Sequence, residues 1–263
     1  MKEFSQEVKQ KAQELRIIDD ALFRLVAERK EACQEILRTL LDDDKIEVIQ
    51  VTSQETLTSL YREVTLDALC RLSDGTCCNV EMQKGSSEDD IRRVRFHASI
   101  ITAQNTPKGT DFKDIPPVKV LYITDYDALK NGQTVTSVTR CQKLGDDYKP
   151  LDDGEEILFA NTEVKDDTEH TKLLQLFLRK DSFYDADYPA LSEAMRHFKE
   201  DEEGVKTVCK IIEEYGTSEV RKAMEQVVVN LFHEGVPVST IAKSAGITEE
   251  EALEIRDKAL QPV

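Results

Sequence analysis

The chain has 263 residues, with 52 acidic and 35 basic side chains and a net charge of −17. That length suits one sizeable core, or one domain with a small appendage. The charge argues against nucleic-acid binding over the surface at large, so phosphate contacts would need a local basic patch.

No segment approaches the ~20 consecutive apolar residues that span a bilayer. The first residues lack the apolar run of a secretion signal, so a cytoplasmic protein without a membrane partner is expected. Six cysteines stand at positions 33, 70, 77, 78, 141 and 209. They show no Cys-x-x-Cys spacing and no matching His pair, so a zinc site is not expected. They read as small core hydrophobes of a reducing compartment.

Residues 1–18 are charged and helical in pattern. Asp19 or Asp20 can cap the next helix. From Asp20 to Leu41 the residues Leu22, Leu25, Val26, Cys33, Ile36, Leu37 and Leu40 share one helical face, which predicts a single buried-faced helix. Glu28, Glu31 and Glu35 point away from that stripe and read as solvated. Asp42-Asp43-Asp44 ends the helix as a charged turn, and Lys45–Thr52 alternates as a strand.

The next stretch reads as a β-hairpin. Val64–Leu72 and Cys77–Gln83 are apolar-rich and alternating, with Ser73-Asp74-Gly75 between them. A three-residue loop needs a left-handed residue at its last position, which Gly75 supplies. Counting back from such a loop pairs Arg71 with Cys77 and Asp67 with Glu81. A two-residue Asp-Gly loop would instead set Asp67 opposite Met82. With three residues, Thr65, Asp67, Leu69 and Arg71 share a face with Asn79, Glu81 and Gln83, while Cys70 and Cys78 take the other. Facing carboxylates repel; a divalent cation between them, or Arg71, would remove the conflict.

Lys84-Gly85-Ser86-Ser87 is a turn, and Ser87 with Asp90 resembles a capping box. A helix follows over 88–104, with Ile91, Val94, Ala98 and Ile101 on one side. Arg92, Arg93 and Arg95 form the best basic patch of the chain. Their forks match phosphate oxygens, and Glu88, Asp89 and Asp90 are equally placed to pair with them. Residues 105–117 are a Pro- and Gly-marked loop. Val118–Thr124 reads as a buried strand, with two more expected over Thr134–Lys143 and Glu156–Asn161.

From Asp166 the pattern turns helical: Glu169–Arg179, Ala190–Lys199, Gly204–Tyr215, Ser218–His233 and two short helices after Pro237. The last two, about 237–260, resemble a helix-turn-helix, with Gly246 at the turn and Thr248/Glu251 as a capping box. The second opens on Glu249-Glu250-Glu251. Carboxylates there would meet phosphates, so packing or a protein contact suits this tail better than DNA readout. His97, His170, His197 and His233 are scattered and read as packed or surface residues.

Asp67, followed after a hairpin by Glu81-Met82-Gln83, resembles the PD-(D/E)XK nuclease superfamily, and more closely its transposase-like branch, the Rpn-type recombination-promoting nucleases. There the last motif is often Glu-x-Gln. The likeness runs from Asp20 to about Thr162 and includes Leu22–Glu28, Ile91–Phe96 and Val118–Thr124. It implies an α/β, restriction-endonuclease-like αβββαβ core with a mixed central sheet, here residues 1–165. An all-helical region, 166–263, would follow.

The resemblance further implies Mg²⁺- or Mn²⁺-dependent hydrolysis of DNA, in recombination or transposition. Asp67 and Glu81 would be metal ligands, Gln83 and Lys84 would stand at the catalytic position, and Arg92, Arg93 and Arg95 would contact phosphate. Family members often bring an acid of the first helix near the metal, for which Glu28, Glu31 and Glu35 are the candidates. The superfamily's motif ends in Lys where this chain has Gln83, and Leu66 replaces the Pro before the first Asp. A catalytically silent relative, acting as a DNA-binding or protein-interaction module, is the alternative. Two-strand cleavage would suit a homodimer, which no residue of the sequence specifies.

Overall fold

The structure, a computed structural model, describes residues 4–59, 62–85 and 90–260, without the side chains of residues 218, 219, 222 and 260. The chain forms two compact units, one of Met1–Ser59 with Glu63–Cys209 and one of Leu60–Arg62 with Lys210–Val263.

The larger unit is built on a mixed sheet. Strands β1 (Val48–Thr58), β2 (Glu63–Leu72) and β3 (Cys77–Gln83) form an antiparallel meander, β2 pairing with β1 on one side and β3 on the other. Strands β4 (Val118–Thr124) and β8 (Glu155–Asn161) continue parallel to β3, and β5 (Val135–Val138) closes the far edge antiparallel to β8. The spatial order is β1-β2-β3-β4-β8-β5. With helix α3 (Lys30–Leu40) before β1 and α4 (Asp90–Gln104) between β3 and β4, this is the expected αβββαβ core. The parallel strands β4 and β8 are buried almost throughout, as strands covered on both faces must be.

Alternation along the hairpin sorts the two faces. Leu69 and Cys77 join Val118, Val120 and Tyr122 against Val94, Ala98 and Ile101 of α4. Each fully buried Val or Ile among them contributes about 1.5–3 kcal/mol. Cys70 points the other way, where its Sγ lies 3.2 Å from Cys33 Sγ on α3. Cys70 and Cys78 are both buried, as expected of small core residues.

Several sequence expectations are corrected. The single helix over Asp20–Leu41 is two, α2 (Asp20–Ala27) and α3, because Arg29 is extended and caps the second. β1 runs six residues past Thr52, carried by pairs such as Thr56–Thr65 and Thr58–Glu63 rather than by apolar alternation. Ile91 is 62% exposed, outside the buried stripe of α4. Of the Thr134–Lys143 strand only β5 joins the sheet; β6 (Cys141–Leu144) and β7 (Asp147–Pro150) form a separate hairpin, exposed along both strands. The Ser87–Asp90 capping box lies outside the described residues.

Helix α1 (Gln6–Glu14) is tied to α6 (Pro189–Glu200) by Lys199, which is buried, with its Nζ donating to the carbonyls of Ala12, Gln13 and Leu15 at 3.0, 2.9 and 2.6 Å. Helix α5 (Glu169–Leu176) and α6 both pack on α3. The expected helices 204–215 and 218–233 are one, α7 (Glu202–His233), continuous through Gly216.

In the smaller unit the end of α7 packs with α8 (Val238–Ala245) and α9 (Glu249–Leu260) around Val228, Ile241, Ala242 and Ala252. Gly246 takes the left-handed cap with φ +69°. Thr248 N donates to Glu251 Oε2 and Glu251 N to Thr248 Oγ1, closing the expected capping box. Glu249, Glu250 and Glu251 are exposed. Among the described residues no helix is long and apolar enough to cross a membrane.

Candidate active site

The hairpin loop has the three-residue form. Gly75 sits at φ +90°, Leu72 N donates to Thr76 O, and Thr76 N donates to the Asp74 carboxylate. Paired residues then run from Arg71–Cys77 through Cys70–Cys78 and Leu69–Asn79 to Ala68–Val80. One step further Asp67 reaches Glu81, and there side chains replace the main-chain ladder. Met82 N donates to Asp67 Oδ2 at 2.8 Å, and Asp67 N donates to Glu81 Oε1 at 3.4 Å. Asn79 Nδ2 adds a third bond to Glu81 Oε1 at 2.7 Å. Each carboxylate is thus gripped by the opposite strand, on the face that α4 covers.

The grouping is electrostatically strained. Burial, and then the charge of Glu81, push the Asp67 carboxyl up to about 8, against the pull of the Met82 N–H. Asp20, the first residue of α2, adds to this by its charge and by a hydrogen bond to Asp67. Glu81 itself is only 7% exposed. From α4, His97 comes down on Glu81, with Nδ1 3.4 Å from Oε1.

The other residues singled out in the sequence take these places. Gln83 ends β3; its Nε2 donates to Lys84 O, and its Oε1 accepts from Arg93 Nη1 at 3.4 Å. Lys84 is exposed and turned to Asp19, with 2.5 Å between Nζ and Oδ1. Burial alone would raise Asp19, yet Lys84 and Arg16 hold it below its ordinary value. Arg92 and Arg95 are exposed. Asp90 does not serve the arginines: it is buried and accepts from the hydroxyls of Tyr122 and Tyr126 at 2.9 and 2.7 Å. Arg71 turns from the acids to Asn105 and Cys77.

Of the first-helix acids, Glu28 accepts from Ser53, and Glu35 caps α6 through Ala190 N and Leu191 N. Glu31 is exposed. None of the three is the helix acid that meets Asp67; Asp20 is.

A family model described as PD-(D/E)XK nuclease family transposase matches residues 20–231. The chain belongs to this family. No curated protein and no solved structure matches it significantly. The match begins at Asp20, the residue that meets Asp67. PD-(D/E)XK nucleases generally use divalent metals.

Asp20, Asn79 and His97 were not marked as site residues by the sequence. Asp20 had only a capping signal. Asn79 was legible as sharing the carboxylate face. For His97 the available signal was an imidazole one residue from Ala98 on the apolar side of α4.

Proposed function

We propose that the protein is a metal-dependent DNA endonuclease acting in recombination or transposition, with Asp67 and Glu81 holding the ion. The observation that carries this reading is the pair of acids set opposite each other across β2 and β3, each bonded to the main chain of the other strand. The donors suit Mg²⁺ or Mn²⁺. They are hard carboxylate oxygens; burial, and then the charge of Glu81, push Asp67 up to about 8, and a cation would relieve the repulsion between the two. Among the described residues no three His, Cys, Asp or Glu side chains are disposed to hold a metal. Mg²⁺ needs only one or two carboxylates and takes waters and a backbone carbonyl for the rest; the Met82 carbonyl would be the candidate.

When bound, such an ion polarises the phosphate and lowers the pKa of a water. The chain's own residues do the rest. Gln83 orients a water through its amide but brings no positive charge. Arg93, which donates to Gln83 Oε1, supplies charge beside it, and Arg92 and Arg95 contact phosphate from the exposed side of α4. Lys84, held by Asp19, reaches the site only on leaving that ion pair.

Duplex DNA should be nicked or cut with Mg²⁺ or Mn²⁺ and left intact by Asp67→Ala or Glu81→Ala. Equal, zero cleavage by all three proteins over a wide range of metal conditions would sink the reading. The neutral Gln83 and the engaged Lys84 favour a second reading, a catalytically silent module that binds DNA or protein. Calorimetric Mn²⁺ titration of the wild type against Asp67→Ala separates the two: uptake lost in the variant supports the enzyme, and no uptake by either supports the module.

A further inference from the structure

Two buried polar atoms in residues beside Glu81 make no hydrogen bond with any described residue. They are His97 Nδ1 and Asn79 Oδ1. Asn79 is fully buried and His97 is 6% exposed. A buried polar atom left unpaired loses its bond to water without a replacement, so two of them around one carboxylate call for an explanation. Packing does not supply it. His97 lies on α4 beside Val94, Ala98 and Ile101, and Asn79 lies between Cys77 and Glu81 on β3. Both surroundings would take an apolar residue more cheaply.

What the two share is Glu81 Oε1. Asn79 Nδ2 donates to it at 2.7 Å, and His97 Nδ1 lies 3.4 Å from it across the sheet–helix interface.

We propose that Asn79 and His97 are positioning residues that hold Glu81 Oε1 from two sides, with the His97 proton on Nδ1. The inference rests on the reading of Glu81 as a cation ligand. With Oε1 engaged by Asn79, Asp67 N and the imidazole, Oε2 is the oxygen left for an ion. The tautomer follows from electrostatics. A lone pair on Nδ1 would face a carboxylate oxygen at 3.4 Å and repel it, whereas an N–H there is attracted. A shift of a few tenths of an ångström brings the contact to ordinary hydrogen-bond length. Groups that orient a metal ligand in this way typically set affinity by about 10- to 100-fold.

The test uses the full chain and Mn²⁺ alone. His97→Leu keeps the bulk and removes the donor, and His97→Asn keeps an N–H near the δ position. Calorimetry should show Mn²⁺ affinity about 10- to 100-fold weaker in His97→Leu and largely restored in His97→Asn. A role in packing alone would not give rescue by the polar variant.

Unchanged affinity in His97→Leu, or equal loss in both variants, overturns the inference. A metal-free readout is the ¹⁵N spectrum of the ring. The proton should reside on Nδ1 in the wild type, and that preference should vanish in Glu81→Ala. If the wild type takes up no Mn²⁺, the endonuclease reading fails, and the ring spectrum decides the positioning: a proton on Nε2 in both proteins overturns it.

Discussion

Metal uptake should expel a proton, and the amount follows from the electrostatics of Asp67. Its carboxyl is pushed up to about 8, first by burial and then by Glu81 and Asp20. At pH 7 such a group is about 90% protonated, and at pH 9 about 10%. A ligating carboxylate must be ionised, so the ion competes with that proton. Mn²⁺ binding should therefore release about 0.9 proton per chain at pH 7 and about 0.1 at pH 9. Below pH 8 the affinity should fall about tenfold per pH unit, or about 1.4 kcal/mol.

Titration calorimetry at each pH, in two buffers of different ionisation heat, measures the release directly from the difference in observed enthalpy. Asp67→Asn should bind more weakly and show almost no release at pH 7. Release near zero in the wild type at pH 7, or the same release in Asp67→Asn, would refute the assignment of the displaced proton to this group.

The same shift governs stability without metal. The folded-state value lies above the ordinary 3.8, so the folded chain binds the extra proton. That contribution is complete below about pH 3.8 and lost as pH rises through about 8. Unfolding by urea at pH 5 and pH 8 should show Asp67→Asn gaining on the wild type by up to about 1.4 kcal/mol per pH unit, and parallel pH profiles would contradict this. Gly204→Ala should cost several kcal/mol, since a Cβ there would lie 2.1 Å from the His197 carbonyl oxygen and backbone must move; a melting temperature unchanged within 2 °C would contradict it. Lys199→Met should cost about 1–3 kcal/mol by stranding the carbonyls at the end of α1. Selective loss of amide-exchange protection in Gln6–Glu14 would be its signature. Gly75→Ala, at φ +90° with open space around it, should cost about 1–2 kcal/mol by backbone strain alone.

The hairpin was legible because its information is local. Strict alternation and a glycine between the strands mark the hairpin, and once the structure gives the loop three residues, register sets Asp67 beside Glu81. The run of helix, strand, hairpin, helix and strand was legible too, but that it builds an αβββαβ core came from the family resemblance. What sequence missed is what tertiary packing decides. Nothing local shows that the first turn of α2 abuts the open end of β2 and β3, so Asp20 read only as a cap. No Pro or Gly marks the break at Arg29, and the apolar period runs on through it. Conversely, Gly216 suggested an end where α7 continues. His97 reads as one more core contact until the helix is laid across Glu81.

The thiols have a practical corollary. Five of the six cysteines are buried and only Cys141 is exposed, on the β6–β7 hairpin. That ribbon leads into the start of β8, whereas Glu81 and Gln83 close β3, a strand running the same way. A maleimide dye should therefore attach at a single place, remote from the acids, without any residue being mutated first. The native chain comes supplied with its own handle for following how it meets ions or DNA by fluorescence.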